Sequence, residues 1–198
     1  MKNLVIAHRS AKVHPAVFLD RDGVLIRDVD HLCKEDQLRL LPGVASALSS
    51  LNRAGWLTII ISNQAAVAKG MLSEAEMYRI GEVLNSRIMG KGARLDAAYY
   101  CPHHLDGKVV KYAHKCSCRK PEPGLILKAV KEMNIDLKRS YLVGDKTGDI
   151  LAGERAGVRT ILVKTGYGGG DGKYPMRPDH VAKNLTEAVD IILKNKHA

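Results

Sequence analysis

The sequence predicts an α/β chain built on a doubly wound parallel sheet in three layers, and two patterns carry that expectation. Short apolar runs recur at "AVFLD", "LTIIIS", "LDAAYY", "SYLVGD" and "RTILV", with helical patterns between several of them. That alternation implies parallel strands joined by crossover helices. Four of the runs also end in polar residues: at Asp20, at Ser62 and Asn63, at Cys101, and at Gly144, Asp145 and Lys146. Ligands of open parallel sheets bind beyond the carboxyl ends of the strands, so two acids, a hydroxyl and a lysine fall on one rim.

The elements follow in order. "AVFLDRDGVLIRD" is a buried strand that ends in two carboxylates, Asp20 and Asp22, before Gly23 turns the chain. Like charges so close repel each other and resist desolvation, so the cluster points to a cation or a reacting group, although Asp and Gly are also ordinary residues of a solvated turn. "PGVASALSSLNRAG" sets Val44, Leu48 and Leu51 on one helical face and stops at Gly55. After the second strand, Ser73 with Glu76 three residues on is a capping box for the next helix. A third helix follows "PEPG", with Leu127 and Val130 inward, and a fourth runs from about Thr147 to Ala156 before Gly157. The Gly-rich "TGYGGGDGKYP" reads as a flexible loop, a lid or a long connection.

With 198 residues, 45% of them apolar and 26% charged, the chain suits a single domain over 1–198 with its core at about 15–195. "WLTIII" is too short to span a bilayer, and His8, Arg9 and Lys12 interrupt any N-terminal apolar segment, which points to the cytoplasm. The net charge of +10 favours an anionic partner, either nucleic acid or a small anionic substrate. One Phe, one Trp and no basic run longer than two residues disfavour nucleic acid.

Two sites of chemistry stand out. Asp20 and Asp145, on different strands, can jointly ligate a hard cation, and magnesium suits a site with few carboxylates plus water and a phosphate. "CPHHLDGKVVKYAHKCSC" offers Cys101, His103, Cys116 and Cys118, a set of three thiolates and one imidazole that suits tetrahedral zinc. Four protein ligands leave no open position, so the zinc would be structural. Arg119 and Lys120 directly follow the last ligand, so closing the loop would fix where they point.

"FLDRDGVL", the Ser62 of "IIISNQ", the Lys120 of "CRKPEPG" and "LVGDKTGDI" resemble the four ordered motifs of the haloacid dehalogenase superfamily of phosphatases. The resemblance implies a Rossmann-like haloacid dehalogenase fold with an inserted zinc-binding loop at 101–118 and no large cap domain. It implies that Asp20 is the nucleophile and Asp22 the general acid and base. Magnesium would be held by Asp20, the backbone carbonyl of Asp22 and Asp145, with Ser62 and Lys120 stabilising the phosphoryl oxygens.

The zinc loop is similar to those of the D,D-heptose 1,7-bisphosphate 7-phosphatase family and of histidinol-phosphate phosphatases. "YYCPHH", then C-x-C-R-K-P-x-P-G, then "VGDK" resemble the heptose family more closely, from about Ala16 to Val163. By that resemblance Asp28, Val29, Asp30, His31, Asn63, Gln64, Arg119 and Lys146 line the substrate pocket, with Arg119 suited to a second phosphate. The implied substrate is a sugar bisphosphate of bacterial ADP- or GDP-heptose synthesis, handled by a monomer without nucleic-acid or membrane partners. A histidinol-phosphate phosphatase or another small-molecule phosphatase of the superfamily, and a zinc-stabilised nucleic-acid binder, are the alternative readings. The chain departs from the heptose pattern at Leu32 and Cys33, usually Gly and Tyr, and at Ala65 and Ala66, usually Ser and Gly.

Overall fold

The computed structural model describes residues 13–195; His8, Arg9, Lys12 and the ends of the domain expected over 1–198 lie outside the described residues. The five apolar runs form β1 (Ala16–Leu19), β2 (Leu57–Asn63), β3 (Ala97–Cys101), β4 (Tyr141–Gly144) and β5 (Arg159–Val163). A short β6 (His180–Ala182) joins them. All pair in parallel, in the order β3-β2-β1-β4-β5-β6. The helices are α1 (Val44–Arg53), the single turn α2 (Ala65–Ala68), α3 (Glu74–Met89), α4 (Gly124–Met133), α5 (Thr147–Ala156) and α6 (Leu185–Lys194).

The two-residue period of a strand sends alternate side chains to opposite faces, and both faces here are apolar. Val17, Leu19, Ile60, Val143 and Ile161 pack with residues of α1, α3 and α6. Phe18, Ile59, Ile61 and Leu142 pack with residues of α4 and α5. Helices on both sides of one sheet give the three expected layers.

The capping box of α3 is present, with Ser73 N donating to Glu76 Oε2 at 2.7 Å and Glu76 N donating to Ser73 Oγ at 3.2 Å. The inward face expected for α4 is corrected: Leu127 is 48% exposed, and Leu125, Ile126 and Ala129 are buried with Val130 beside them. Successive residues turn by about 100° on a helix, so a face centred between positions 125 and 126 takes 129 and 130 and leaves 127 outside.

The chain runs outward from β1 through β2 to β3, then returns to place β4 on the other flank of β1. Asp20 and Asp145, just past β1 and β4, therefore face each other across the reversal of strand order, where such sheets open a crevice. Among the described residues no helix is long and apolar enough to cross a membrane.

The start of β1 is pinned by one side chain. Buried Ser140 accepts a hydrogen bond from Ala16 N at 2.9 Å and donates to the Asp136 carbonyl. Removing the hydroxyl strands a buried backbone N–H. Ser140→Ala is therefore expected to lower the unfolding free energy by about 1–3 kcal/mol, read as an earlier urea midpoint with an unchanged slope.

Candidate active site

β1 delivers Asp20 to the rim, where its backbone N–H donates to the Val143 carbonyl at 3.0 Å. Lys120 arrives from the loop after β3 and is seated by Asn63, whose side chain accepts from Lys120 N and donates to its carbonyl, both at 3.0 Å. The buried ammonium of Lys120 then donates to Asp20 Oδ1 at 2.7 Å and to the Ile61 carbonyl at 2.9 Å, and pairs with Asp149 Oδ1 at 2.6 Å. Asp149, in the first turn of α5, accepts from Asp145 N and Lys146 N through its other oxygen. One buried cation thus ties three motifs together.

The charges do not balance. Carboxylate oxygens of Asp20, Asp145 and Asp149 lie within 4.8 Å of one another, all on buried residues. Burial, with Asp20 and Asp149 close by, pushes the Asp145 carboxyl up to about 8. Lys120 is held above its ordinary value, because Asp149 and Asp20 outweigh the effect of its burial.

Asp145 Oδ1 is buried without a hydrogen-bond partner among the described residues. Gly23 and Gly166, both at positive φ, leave the carboxylate room that any Cβ would fill. An orphaned carboxylate oxygen beside a second carboxylate is a donor set for a hard divalent cation, so these residues fit magnesium.

Asp22 is held by its neighbours. The Arg21 guanidinium pairs with it at 2.9 Å and donates to Gln64 Oε1 at 2.8 Å, while Gln64 Nε2 donates to Asp22 Oδ2 at 3.1 Å and Ser62 Oγ at 2.9 Å. This network fixes the second carboxylate and the predicted hydroxyl side by side. Arg21 and Asp149 were not among the sequence candidates; each reads locally as a surface charge or a capping acid.

A cavity of about 510 Å³ opens over this floor. Asp28, Asp30, His31, Asn63, Gln64, Arg119 and Lys146 all line it, as expected. Val29 is not among the lining residues, and its side chain packs against the core. Lys146 pairs with Asp28 at 2.9 Å, and His31 Nε2 lies 2.8 Å from Lys69 Nζ. The Gly-rich segment also forms part of the wall, because Tyr167 N donates to Asp145 Oδ2 at 2.8 Å and Thr147 donates to Asp171.

Cys101, Cys116, Cys118 and His103 converge beside this wall, their sulfur atoms 3.2–3.5 Å apart and His103 Nδ1 at 3.4 and 3.6 Å from two of them. A thiolate tetrahedron with metal bonds of about 2.3 Å has edges of about 3.7 Å, so the four donors fit a tetrahedral ion. Hydrogen bonding with Cys101 and Cys116 draws the Cys118 thiol down to about 5, while the neighbouring sulfur atoms and burial push Cys101 and Cys116 up.

Truncating one partner of a buried charge cluster leaves the others uncompensated. Lys120→Met is expected to cost about 3–5 kcal/mol of stability in chelator. Adding Asp149→Asn should recover part of that loss in a denaturation cycle, because one fewer buried carboxylate is left unpaired.

A HAD-hydrolase-like family model matches residues 117–188. The chain is 43% identical over 152 residues to D-glycero-beta-D-manno-heptose-1,7-bisphosphate 7-phosphatase of Pasteurella multocida (strain Pm70), covering 76% of this chain and 82% of that one. The enzyme of the same description in Escherichia coli (strain K12) is 38% identical over 157 residues, covering 79% and 82%. Among solved structures, D,D-heptose 1,7-bisphosphate phosphatase from B. bronchiseptica, complexed with magnesium and phosphate, superposes with a TM-score of 0.81 at 29% identity, covering 91% of this chain and 98% of that one. The motifs, the rim and these likenesses agree, and the chain belongs to the heptose-1,7-bisphosphate 7-phosphatase family of haloacid-dehalogenase-like hydrolases.

Proposed function

We propose that the protein is a magnesium-dependent phosphatase that removes the 7-phosphate of D-glycero-D-manno-heptose 1,7-bisphosphate through an aspartyl-phosphate on Asp20, in ADP- or GDP-heptose synthesis. The observation that carries the reading is the pairing of Asp20 with Lys120 beside the orphaned Asp145 carboxylate, under a cavity with Arg119 and Lys146 in its wall.

Asp20, Asp145 and the Asp22 backbone carbonyl would hold the magnesium. Bound there, the ion offsets negative charge on the transferring phosphoryl group. Asp20 attacks phosphorus while the bond to the sugar oxygen breaks, and the Asp22 carboxyl gives that oxygen its proton. Water then attacks the same phosphorus, Asp22 takes the proton of the water, and phosphate departs with Asp20 restored. Arg21 and Gln64 keep the Asp22 carboxyl aimed through both steps. Lys120 and Ser62 place their donors around the phosphoryl oxygens, and preorganised donors are most effective where charge develops.

Arg119 grips the second phosphate, two of whose three terminal oxygens match a guanidinium fork. The single domain spans the chain with its core at about 15–195, and the protein acts in the cytoplasm as a monomer with neither nucleic acid nor membrane as partner. Cys101, His103, Cys116 and Cys118 bind a structural zinc.

Phosphate release with magnesium tests the substrate. One anomer of heptose 1,7-bisphosphate is expected to exceed histidinol phosphate and fructose 1,6-bisphosphate in kcat/KM by about a hundredfold, on the order of 2.7 kcal/mol of differential transition-state binding. A preference for histidinol phosphate would overturn the substrate and leave the chemistry. Asp20→Asn is expected to lower kcat by about four orders of magnitude or more while the melting temperature holds, since the nucleophile is lost.

Metal analysis tests the second site. Cys116→Ser should lower both bound zinc and the melting temperature, because folding of such a loop is coupled to its metal. Unchanged values of both would exclude a structural zinc.

A further inference from the structure

Lys69, Arg119 and Lys173 line the cavity from three separate segments: the end of α2, the stretch just after Cys118 and the Gly-rich loop. His104 lines the same cavity, with Asp106 Oδ2 3.8 Å from its Nδ1. Among the described residues none of the three pairs with a carboxylate. Lys69 meets the His31 ring at 2.8 Å, and Arg119 donates to the His103 carbonyl at 2.9 Å. Cations that share a cavity without direct ion pairs repel one another, and an anion between them relieves that repulsion.

The position of Lys173 is not left to a free loop. Tyr167 N donates to the Asp145 carboxylate and Gly169 N to the Asp145 carbonyl, both at 2.8 Å. Asp171 accepts from Thr147 N at 2.8 Å and from Thr147 Oγ1 at 2.7 Å. Lys146 at the start of α5 has no side chain that can cap the helix N-terminus as an acceptor. Asp171 supplies that acceptor from a distant segment, and so ties the loop to the helix that carries Asp149.

We propose that Lys69 and Lys173 are specificity-determining residues that grip the anionic group of the substrate remote from Asp20, and that Asp171 is the positioning residue that sets Lys173 in place. This rests on the bisphosphate reading above. It assigns substrate discrimination to the Gly-rich loop, a segment without any reacting group.

The test compares kcat/KM for heptose 1,7-bisphosphate with that for p-nitrophenyl phosphate, which has no second anionic group of this kind. Lys69→Met and Lys173→Met should each lose about tenfold more on the bisphosphate than on p-nitrophenyl phosphate, mostly through KM. Asp171→Ala should reproduce the Lys173→Met pattern, and Asp171→Asn, which keeps an acceptor for Thr147, should recover most of it. Equal losses on both substrates, or none on the bisphosphate, would overturn the proposal. Wild-type protein with no preference for the bisphosphate would overturn the parent reading and this one with it, and that outcome is seen before any variant is made.

Discussion

Three carboxylates and one ammonium, all on buried residues, share the floor of the cavity at the carboxyl ends of β1 and β4, and much of the molecule is arranged around them. Ions taken out of water lose several kcal/mol of hydration each, on the order of what a whole domain has to spare. Lys120 offsets two of the carboxylates, Asp20 and Asp149, by direct contact. Asp145 is left with one oxygen unsatisfied. A protein that needed only a stable core would fill this place with apolar side chains. The imbalance makes sense where a divalent cation and a phosphoryl group arrive together, each relieving the charge that the other brings.

That constraint reaches outward through the loop from Cys101 to Cys118. The segment between Cys101 and Cys118 has little core of its own, since Leu105 is 69% exposed and Val110 is 89% exposed. Tyr112 packs against the main core, but burial of that ring leaves much of the loop to be ordered by other contacts. Four ligating side chains drawn to one point can order it, and Lys120 follows the last of them by two residues. Arg119, between the two, donates back to the carbonyl of His103. The same knot therefore orients a cation of the catalytic floor and a cation of the cavity wall, with Asn63 holding the Lys120 backbone from the other side.

How legible all this was in the sequence depended on whether the determining contacts were local. β1 to β5 could be read because each is a continuous apolar run, the form taken by strands buried on both faces. β6 is three residues long with an exposed Val181 at its centre, and α6 follows it unannounced by any site motif. Asp20, Asp22 and the set Cys101, His103, Cys116 and Cys118 carry their spacing with them. Asp149 does not, because an acid in the first turn of a helix has an ordinary reason to be there. Arg21 likewise became recognisable only when Gln64 and Asp22 were seen to enclose it.

The departures from the heptose pattern bear on shape more than on chemistry. Leu32 is 2% exposed and packs in the main core, with Cys33 against the same cluster, so these residues anchor the pocket loop from beneath. Ala65 and Ala66 are buried in α2, the turn that ends at Lys69. A pair of alanines there favours helix over the freedom of a glycine and adds no hydroxyl to the wall. Both changes therefore act on the seats of His31 and Lys69, which meet across the cavity at 2.8 Å. Leu32 and Ala65 themselves line the cavity, so packing at these positions shapes its walls while the carboxylates of the floor stay together.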